Sequence, residues 1–516
     1  MRAVPWMWTL AGALASAFLL CLPAPGAAQE SAEADRATVP AASPPLPGDH
    51  WAVQAAARAE ALGLAPGYLP AQRSVPRAAV GEALRRAALA APPRGQELAR
   101  LTQGWLDRFL EEFPEASDSA SASGLLGSHA GAGYERRTGV VAPGAGLFDG
   151  RTGVSPLADR GTAVGHAVLA GRLGGSLAGA AEPRLDDDGV RLPRWDVVAG
   201  WGPVALSVGE QPVGYGSGAG GGIVLSGAAT LPRLEVQTAR PVVFPGLLRA
   251  LGTASFHSFV TRLDEPRHPG DPYLWGARFA LQPHPRLTVG VNRASIFGGD
   301  SIATPTTAGN VGRMLLGMLS ADFENQVVAA DFRYRLPTEA VLPLTLYLEW
   351  GADDAAGAWW DVPARVLGAY VAAVPGLERV AAGAEYASFA TLCCGNPGWY
   401  MHSAQPGGWA AADVPLGHPL GGEGRELLVY SHADLMDARL RLDVRAFRRE
   451  RGREGFDMFV RAGNLFAPER AGTSTGLALA GLWRATRRTE IRAAALREAG
   501  SGWRTHLLDL NASVLF

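Results

Sequence analysis

Lysine is absent from this chain of 516 residues, so all 47 of its basic side chains are arginines. This absence excludes enzymes that need a P-loop lysine, a Schiff-base lysine or a Ser–Lys dyad. The 49 acidic residues bring the formal net charge to −2. The chain therefore also lacks the basic excess that is typical of nucleic-acid-binding proteins.

Cysteine is scarce, because beyond Cys21 in the N-terminal apolar run the chain has only the adjacent pair Cys393 and Cys394. Neighbouring cysteines cannot join distant parts of a fold, although a vicinal disulfide remains an alternative. A zinc site at this pair would need further ligands, and the nearby His402 matches no standard zinc spacing. We therefore predict no disulfide framework, no metal site and no cofactor.

Long apolar runs are confined to the N-terminus. Arg2 precedes an uncharged stretch over residues 6–22, and small residues follow up to Ala28. This pattern predicts a secretory signal peptide over residues 1–28, with a retained transmembrane anchor as the alternative. Beyond it no stretch of 18 apolar residues occurs. If the protein is embedded in a membrane, it must cross with β-strands.

The chain after the predicted signal peptide begins with two segments of different composition. Residues 29–48 are rich in Ala, Ser, Pro and Glu, which predicts a flexible leader. Residues 49–115 have helical periodicity, and we predict three helices: one capped by Asp49, one beginning at Ser74 and one from about Gln96 to Phe113. Such a bundle has too little core to be stable alone, so we expect it to pack against a larger domain.

Residues 127–516 alternate between apolar and polar side chains with a period of two, as in 344–350 and 440–446. A soluble β-sandwich also alternates, but charged faces such as Arg441, Asp443 and Arg445 favour a water-facing barrel lumen. We predict a mainly β fold, a transmembrane antiparallel β-barrel of about 18 strands, from roughly 20 to 22 residues per strand and connection.

The chain ends on a strand with apolar residues on one face, and its last residue is Phe516. This ending is similar to the closing strand of bacterial outer-membrane proteins, which the barrel-assembly machinery recognises. It predicts that the barrel is located in the bacterial outer membrane, in contact with its lipid.

Two glycine motifs resemble enzyme signatures. Gly472–Gly476 matches G-x-S-x-G, but both neighbouring segments have strand patterns, so we predict a turn without catalysis. Gly216–Gly221 matches G-x-G-x-x-G, yet no βαβ unit surrounds it. The wider glycine-rich block Gly209–Gly227 predicts either a flexible loop or a tight fold-back inside the barrel, against lumen side chains.

Several segments resemble the capsule-assembly Wzi family. The resemblance is carried by Ala199–Ser226 with Leu231-Pro232, by spaced glycines and aromatic residues in Gly252–Gly299, and by a helical start with His50-Trp51. The chain departs from the family pattern at Tyr215, where a Trp is expected, and at Gly227–Ala229. The resemblance implies a lectin-like, non-enzymatic outer-membrane barrel, plugged by its helices, that attaches or assembles capsular or exported polysaccharide at the cell surface.

Sugars are bound by aromatic faces together with Asp, Asn and Arg side chains. The predicted outer loops contain such mixtures, and the candidate polysaccharide-binding residues are Trp359, Trp360, Asp361, Asn396, Trp399, Tyr400 and His402. The alternative is that they are interfacial or packing residues. Two other functions stay open: an outer-membrane porin or carbohydrate channel, and a barrel enzyme that uses Ser474. A fainter similarity of the helical start to surface-layer homology modules would indicate a porin that binds the cell wall.

Overall fold

The computed structural model describes residues 41–72, 74–90, 95–114, 123–138, 160–263, 267–318, 323–353, 363–389, 399–411, 414–452 and 471–516. The predicted signal peptide, the cysteine pair and four candidate residues, Trp359, Trp360, Asp361 and Asn396, lie outside these ranges.

The main body of the fold is a closed antiparallel sheet. Its strands, with β numbers in chain order, are β4 (His129–Thr138), β5 (Arg160–Leu173), β6 (Leu177–Asp186), β7 (Gly189–Trp201), β8 (Val204–Tyr215), β9 (Leu225–Thr238), β11 (Thr253–Arg262), β12 (Tyr273–His284), β13 (Leu287–Phe297), β14 (Glu324–Arg335), β15 (Leu344–Asp353), β16 (Ala364–Val371), β17 (Val380–Phe389), β20 (Gly424–Leu435), β21 (Leu440–Arg451), β22 (Gly472–Arg484), β23 (Thr489–Gly500) and β24 (Trp503–Leu515). The shorter strands are β1 (Pro45–Pro47), β2 (Ser74–Pro76), β3 (Gly124–Leu125), β10 (Val242–Val243), β18 (Ala410–Ala411) and β19 (Val414–Pro415).

The sheet closes where the last strand meets the first. Strand β24 pairs with β4 from His506 opposite Thr138 to Leu515 opposite His129, and the amide of Phe516 donates to Ser128 O. Each neighbour in the ring is antiparallel, and β9 pairs directly with β11. Closure removes every free sheet edge, which is the condition for crossing lipid with strands. The prediction of a barrel with about 18 strands is confirmed.

The two faces of the barrel follow the predicted alternation. On β15, Thr345, Tyr347 and Glu349 are buried inside, whereas Leu346 is 44% exposed on the outer wall. On β24, Leu508, Leu510, Val514 and Phe516 point outward and Asp509 points inward. Apolar residues therefore cover the outside and polar residues fill the lumen, the reverse of a soluble protein.

Inside the lumen, charged side chains are paired. Arg278 Nη1 lies 2.7 Å from Asp331 Oδ2, and Arg451 Nη1 lies 2.8 Å from Glu498 Oε1. Ser474 joins the second pair, since its hydroxyl donates to Glu498 Oε1 at 2.7 Å. The prediction that Gly472–Gly476 forms a turn is wrong: the segment begins strand β22 and directs Ser474 into the lumen.

The two ends of the barrel differ. The longest connections, 139–159, 298–323, 390–423 and 452–471, all join strands at one end, which we call the loop end. The opposite end, the turn end, has short connections such as 202–203 and 285–286 and holds the C-terminus. Outer-membrane barrels place short turns in the periplasm and long loops outside the cell.

Three helices precede the barrel, α1 (Trp51–Ala61), α2 (Arg77–Leu89) and α3 (Gln96–Glu112), and a short α4 (Ala308–Leu315) lies at the loop end. We call α1–α3 the helical bundle. Its core contains one apolar face of α3, with Leu98, Leu101, Trp105 and Phe109 fully buried. None of the described helices combines the length and apolarity needed to span a membrane.

The beginnings of α1 and α2 differ from the prediction. His50, not Asp49, is the N-cap of α1, because its Nδ1 accepts a hydrogen bond from the amide of Ala52 at 3.2 Å. Ser74–Pro76 is strand β2, so α2 begins at Arg77. Strand β2 pairs with Pro45–Pro47, which orders the last residues of the predicted leader. Pro76 ends this pairing. Proline is tolerated at the start of a helix because the N–H that it lacks would have no partner within the helix.

Candidate functional site

The glycine-rich segment, residues 216–224, connects β8 to β9 and folds back into the lumen. The amides of Gly218 and Ile223 donate to the two oxygens of Glu349 at 2.7 and 3.1 Å. Those of Ala219 and Gly220 donate to the two oxygens of Glu385 at 2.6 and 2.9 Å. The fold-back predicted as one alternative is confirmed, and the flexible-loop alternative is wrong.

Close packing explains why this segment is built from glycine. A Cβ added to Gly216, whose φ is +110°, would lie 2.3 Å from Glu349 Oε1. A Cβ added to Gly222 would lie 1.8 Å from the backbone oxygen of Tyr215. Both distances are far below van der Waals contact, so larger residues cannot be accommodated without movement of the segment.

A second segment fills the lumen at the loop end. We call residues 399–411 and 414–423 the mouth segment. Tyr400 Oη donates to Ile223 O at 2.5 Å, Trp409 Nε1 donates to Val224 O at 2.9 Å, and the amide of Ser226 donates to Leu416 O at 2.7 Å. The mouth segment and the glycine-rich segment thus pack as one layer across the barrel.

The helical bundle occupies the turn end. Arg58 of α1 is fully buried and donates to Asp434 Oδ2 at 2.7 Å, to Ala372 O at 2.8 Å and to Glu378 O at 2.7 Å. Arg108 of α3 donates to Ala438 O at 2.8 Å. These partners belong to the barrel wall and its turns, so the bundle is fixed in place as a plug.

Between the bundle and the glycine-rich segment lies a cavity of about 220 Å³, which we call the lumen chamber. Its wall combines aromatic and polar side chains: Gln54, Tyr347, Tyr370, Tyr430, His432, Asp443 and Arg445. The rings of Tyr370 and Tyr430 are stacked, with centroids 6.2 Å apart. Aromatic faces beside Arg and Asp are the chemistry that suits sugars, although the chamber is far from the loop surface that the sequence indicated.

The sequence could not bring the chamber residues together. Tyr347 is identifiable as a lumen residue from its alternation with Leu346 and Leu348, but Tyr370 and Tyr430 come from strands far apart in the chain. Their proximity depends on the strand register, which periodicity alone does not determine.

The structure describes three of the seven candidate polysaccharide residues, and they do not form an outward-facing cluster. Trp399 is 1% exposed and Tyr400 0% exposed, because both belong to the mouth segment. The Tyr400 ring stacks on Trp409 with centroids 6.4 Å apart, and Trp399 lies edge-on to Phe389. His402 is half-buried and its Nδ1 accepts from the amide of Ala404 at 3.2 Å. Trp399 and Tyr400 thus pack the mouth segment, and polysaccharide contact by the seven residues stays a prediction.

One group of lumen side chains has metal-ligand composition. Ligand atoms of Glu385, His418 and Glu426 lie within 4.8 Å of one another. His418 Nδ1 accepts from the amide of Leu420 at 3.3 Å, which leaves the ring proton on Nε2, facing Glu426 Oε1 at 3.9 Å. A protonated nitrogen offers no lone pair to a metal, so these contacts favour a neutral imidazole whose N–H faces the Glu426 carboxylate.

The G-x-S-x-G serine has partners unlike those of a nucleophile. Among the described residues, Ser474 donates to Glu498 and accepts from Arg451 Nη1 at 3.2 Å. A serine nucleophile needs a base strong enough to remove its proton, and the Glu498 carboxylate that accepts the Ser474 proton is a weak base because Arg449 and Arg451 also bind it. This geometry favours a structural role in the lumen.

Residues 138–499, more than half of the chain, match the sequence model of the family described as capsule assembly protein Wzi. The chain belongs to the capsule assembly Wzi family. The match covers most of the barrel of this Wzi-family protein, from the end of β4 to the end of β23. No curated protein sequence matches the chain.

The fold is similar to that of Wzi from Escherichia coli, an outer-membrane protein involved in group 1 capsule assembly and described as a carbohydrate-binding β-barrel. The TM-score is 0.69 at 14% identity, with 92% of this chain and 99% of that chain covered. OprD from Pseudomonas aeruginosa has a TM-score of 0.44 at 13% identity, with 76% of this chain and 95% of that chain covered. The Wzi-family barrel is located in the bacterial outer membrane, which makes the loop end extracellular and the turn end periplasmic.

Proposed function

We propose that this Wzi-family barrel binds capsular or exported polysaccharide at the cell surface and helps to attach or assemble it there, without catalysing a reaction. The main support for this function is that segments of the chain fill the lumen from both ends. The helical bundle enters from the periplasm, and the glycine-rich and mouth segments enter from outside. A filled lumen suits a binding protein, whereas a porin or carbohydrate channel needs an open path. The carbohydrate binding described for Escherichia coli Wzi supports the same function.

The proposed contact residues are the extracellular candidates Trp359, Trp360, Asp361, Asn396 and His402. Trp399 and Tyr400 would contribute indirectly, because their buried rings hold the mouth segment to which His402 belongs. We also propose that the barrel-assembly machinery recognises β24 and Phe516, since Phe516 is 61% exposed at the periplasmic end.

The experiment is a binding titration with the purified full-length barrel in detergent. Immobilised capsular polysaccharide from the producing strain is compared with an uncharged glucan of similar length. The proposal predicts saturable binding to the first. The double variant Trp359→Ala/Trp360→Ala is expected to bind about tenfold more weakly, since a lost aromatic contact costs on the order of 1 kcal/mol.

Trp201→Ala is the matched control, because Trp201 is 57% exposed on the outer wall at the periplasmic end. This variant should bind as the unmodified protein does. If no polysaccharide of the producing strain binds, the proposed function is wrong. If Trp201→Ala weakens binding as much as the loop variant, the proposed site is wrong.

A further inference from the structure

The outer wall of the barrel becomes basic near the extracellular end of three neighbouring strands, β23, β24 and β4. The exposed basic side chains there are Arg136, Arg497, Arg504 and His506. All four belong to the outward-facing series of their strands, in line with lipid-facing residues such as Tyr134 and Leu508. We call these four residues the outer basic patch.

Strand register makes the patch continuous. Arg497 of β23 is directly opposite His506 of β24, so their Cβ atoms are about 4.5 to 5.5 Å apart. Arg136 of β4 is opposite Leu508, which puts it diagonal to His506. Arg504 is opposite Ala499 and therefore diagonal to Arg497. One anionic group can thus contact basic side chains from three strands.

The acidic residues of these three strands all face the lumen: Glu135, Glu490, Glu498 and Asp509. Glu135 pairs with Arg184 at 2.9 Å and Glu490 with Arg108 of the helical bundle at 3.0 Å. In the described part of this wall the carboxylates therefore lie only inside, whereas arginines lie on both faces, Arg492 among those inside. This distribution leaves the patch with a local positive potential toward the membrane.

Shape agrees with charge. Arg136, Arg497 and His506 border a shallow depression of about 840 Å³ on the outer wall. Small side chains such as Ala495 and Ala499 form part of its floor. Exposed leucines, among them Leu479 and Leu510, continue the wall below the patch toward the membrane centre. A ligand there meets cations at one end and an apolar wall at the other.

We propose that the outer basic patch binds the phosphate-bearing head group of a glycolipid in the outer leaflet. Arginine suits phosphate because its planar guanidinium donates two parallel hydrogen bonds. The apolar wall below the patch fits the acyl chains of the same molecule, which neither a free anion nor a soluble acidic polysaccharide would cover. This site is separate from the extracellular loops of the proposed function, so either can fail without the other.

The test measures the amount of lipid bound to the full-length barrel in nanodiscs, with bisphosphorylated lipid A as the probe and its dephosphorylated form as the comparison. Arg136→Gln/Arg497→Gln/Arg504→Gln removes three charges from the patch. Affinity for the phosphorylated lipid should fall about ten- to a hundredfold, from the usual contribution of arginines near an anionic lipid surface. Arg497→Gln alone should give a severalfold loss, which covers the case that the triple variant does not fold.

The matched control is Arg249→Gln/Arg487→Gln/Arg488→Gln, which removes three exposed charges at the periplasmic end. It should retain the unmodified affinity. Unchanged lipid binding by both patch variants would overturn the proposal, as would equal binding of dephosphorylated lipid. Displacement of the lipid by equimolar inorganic phosphate or by soluble acidic polysaccharide would also overturn it, because the occupant would then not be a membrane lipid.

Discussion

Arg58 shows how single residues hold the plug inside the barrel. Its guanidinium is fully buried and contacts the Asp434 carboxylate and three backbone carbonyls of the connection between β16 and β17. Burying a charge is costly, and a buried pair becomes favourable only when hydrogen bonds satisfy the remaining donors. Arg58 meets that condition, so removing either partner leaves an uncompensated charge.

We expect Asp434→Ala to weaken docking of the helical bundle by about 3 to 5 kcal/mol, because the buried Arg58 loses its counter-charge. Hydrogen exchange of the α1 amides in the reconstituted barrel measures this change. Arg86→Gln is the control, because Arg86 forms a partly exposed pair with Glu82 in α2. That change should cost less than about 0.5 kcal/mol. Equal effects of the two variants would show that Arg58 does not anchor the bundle.

Glu112 gives the helical bundle a pH dependence. Burial alone would raise the pKa of its carboxyl, but the charge of His50, hydrogen bonds from His50 and Trp51 and the charge of Arg108 outweigh burial and hold the pKa well below its ordinary value of 4.5. A lowered pKa stabilises the folded state above pH 4.5, and this stabilisation is lost as the pH falls through the folded pKa.

We therefore expect the exchange rates of the α3 amides, corrected for intrinsic exchange, to rise as the pH falls below 4.5. In Glu112→Gln this acid dependence should be weaker, and protection at neutral pH should already be lower. Asp107→Asn, at an exposed position of the same helix, should retain the dependence. The same acid profile in all three proteins would contradict the assignment to Glu112.

At the scale of elements, the glycine-rich segment is a strand connection that seals the lumen. Its amides are satisfied by Glu349 of β15 and Glu385 of β17. Buried amides and carboxylates each need hydrogen-bond partners. Moving the segment out of the lumen would therefore leave both its amides and the two carboxylates without their partners. We therefore expect the segment to remain folded into the lumen as long as its glycines are not replaced by larger residues.

We expect Gly222→Ala to displace this segment, because the new Cβ would lie 1.8 Å from the backbone oxygen of Tyr215. In planar bilayers the unmodified barrel should show no steady conductance, whereas the variant should show openings. Gly312→Ala is the control, since a Cβ there would have no heavy atom within 4 Å. A large steady conductance of the unmodified barrel would contradict the closed lumen.

Sequence reasoning was most successful where one physical pattern dominates. Alternation identified the outer and lumen faces of β15 and β21, and the length of the alternating region predicted the number of strands. It failed at the starts of α1 and α2. There His50 and Pro76, rather than the stronger capping types Asp49 and Ser74, stand at the helix boundaries. Local capping preferences are small compared with tertiary constraints such as the β1–β2 pairing.

The candidate site was harder to predict for a geometric reason. Trp399 and Tyr400 have the composition of a sugar-binding loop, but their loop turns inward and packs on Ile223 and Val224. A loop that fills a barrel and one that covers its surface use the same glycines and aromatic residues. The glycine block correctly indicated that the backbone approaches other groups closely. Its partners Glu349 and Glu385, however, could be identified only from the closed sheet.

At the scale of the whole molecule, the barrel is a membrane-embedded scaffold with polar contents. Its lumen is packed with paired charges, the plug and two inward-folded segments, so surface binding is the function that this architecture supports. The net charge is only −2 because the acidic residues of the chain, which include the lumen carboxylates, nearly balance its arginines, which include those of the outer basic patch. Binding at the extracellular loops and lipid contact on the outer wall are thus separate consequences of one fold.

The central claim is that the barrel retains polysaccharide on the cell. Its most direct test is the fraction of capsular polysaccharide that stays on cells, relative to the medium, in a deletion strain complemented with the full chain or with nothing. Without the barrel we expect an unchanged total amount of polysaccharide and a shift of that polysaccharide from cells to medium. The full chain should reverse this shift. An unchanged partition between cells and medium in the deletion strain would contradict the account.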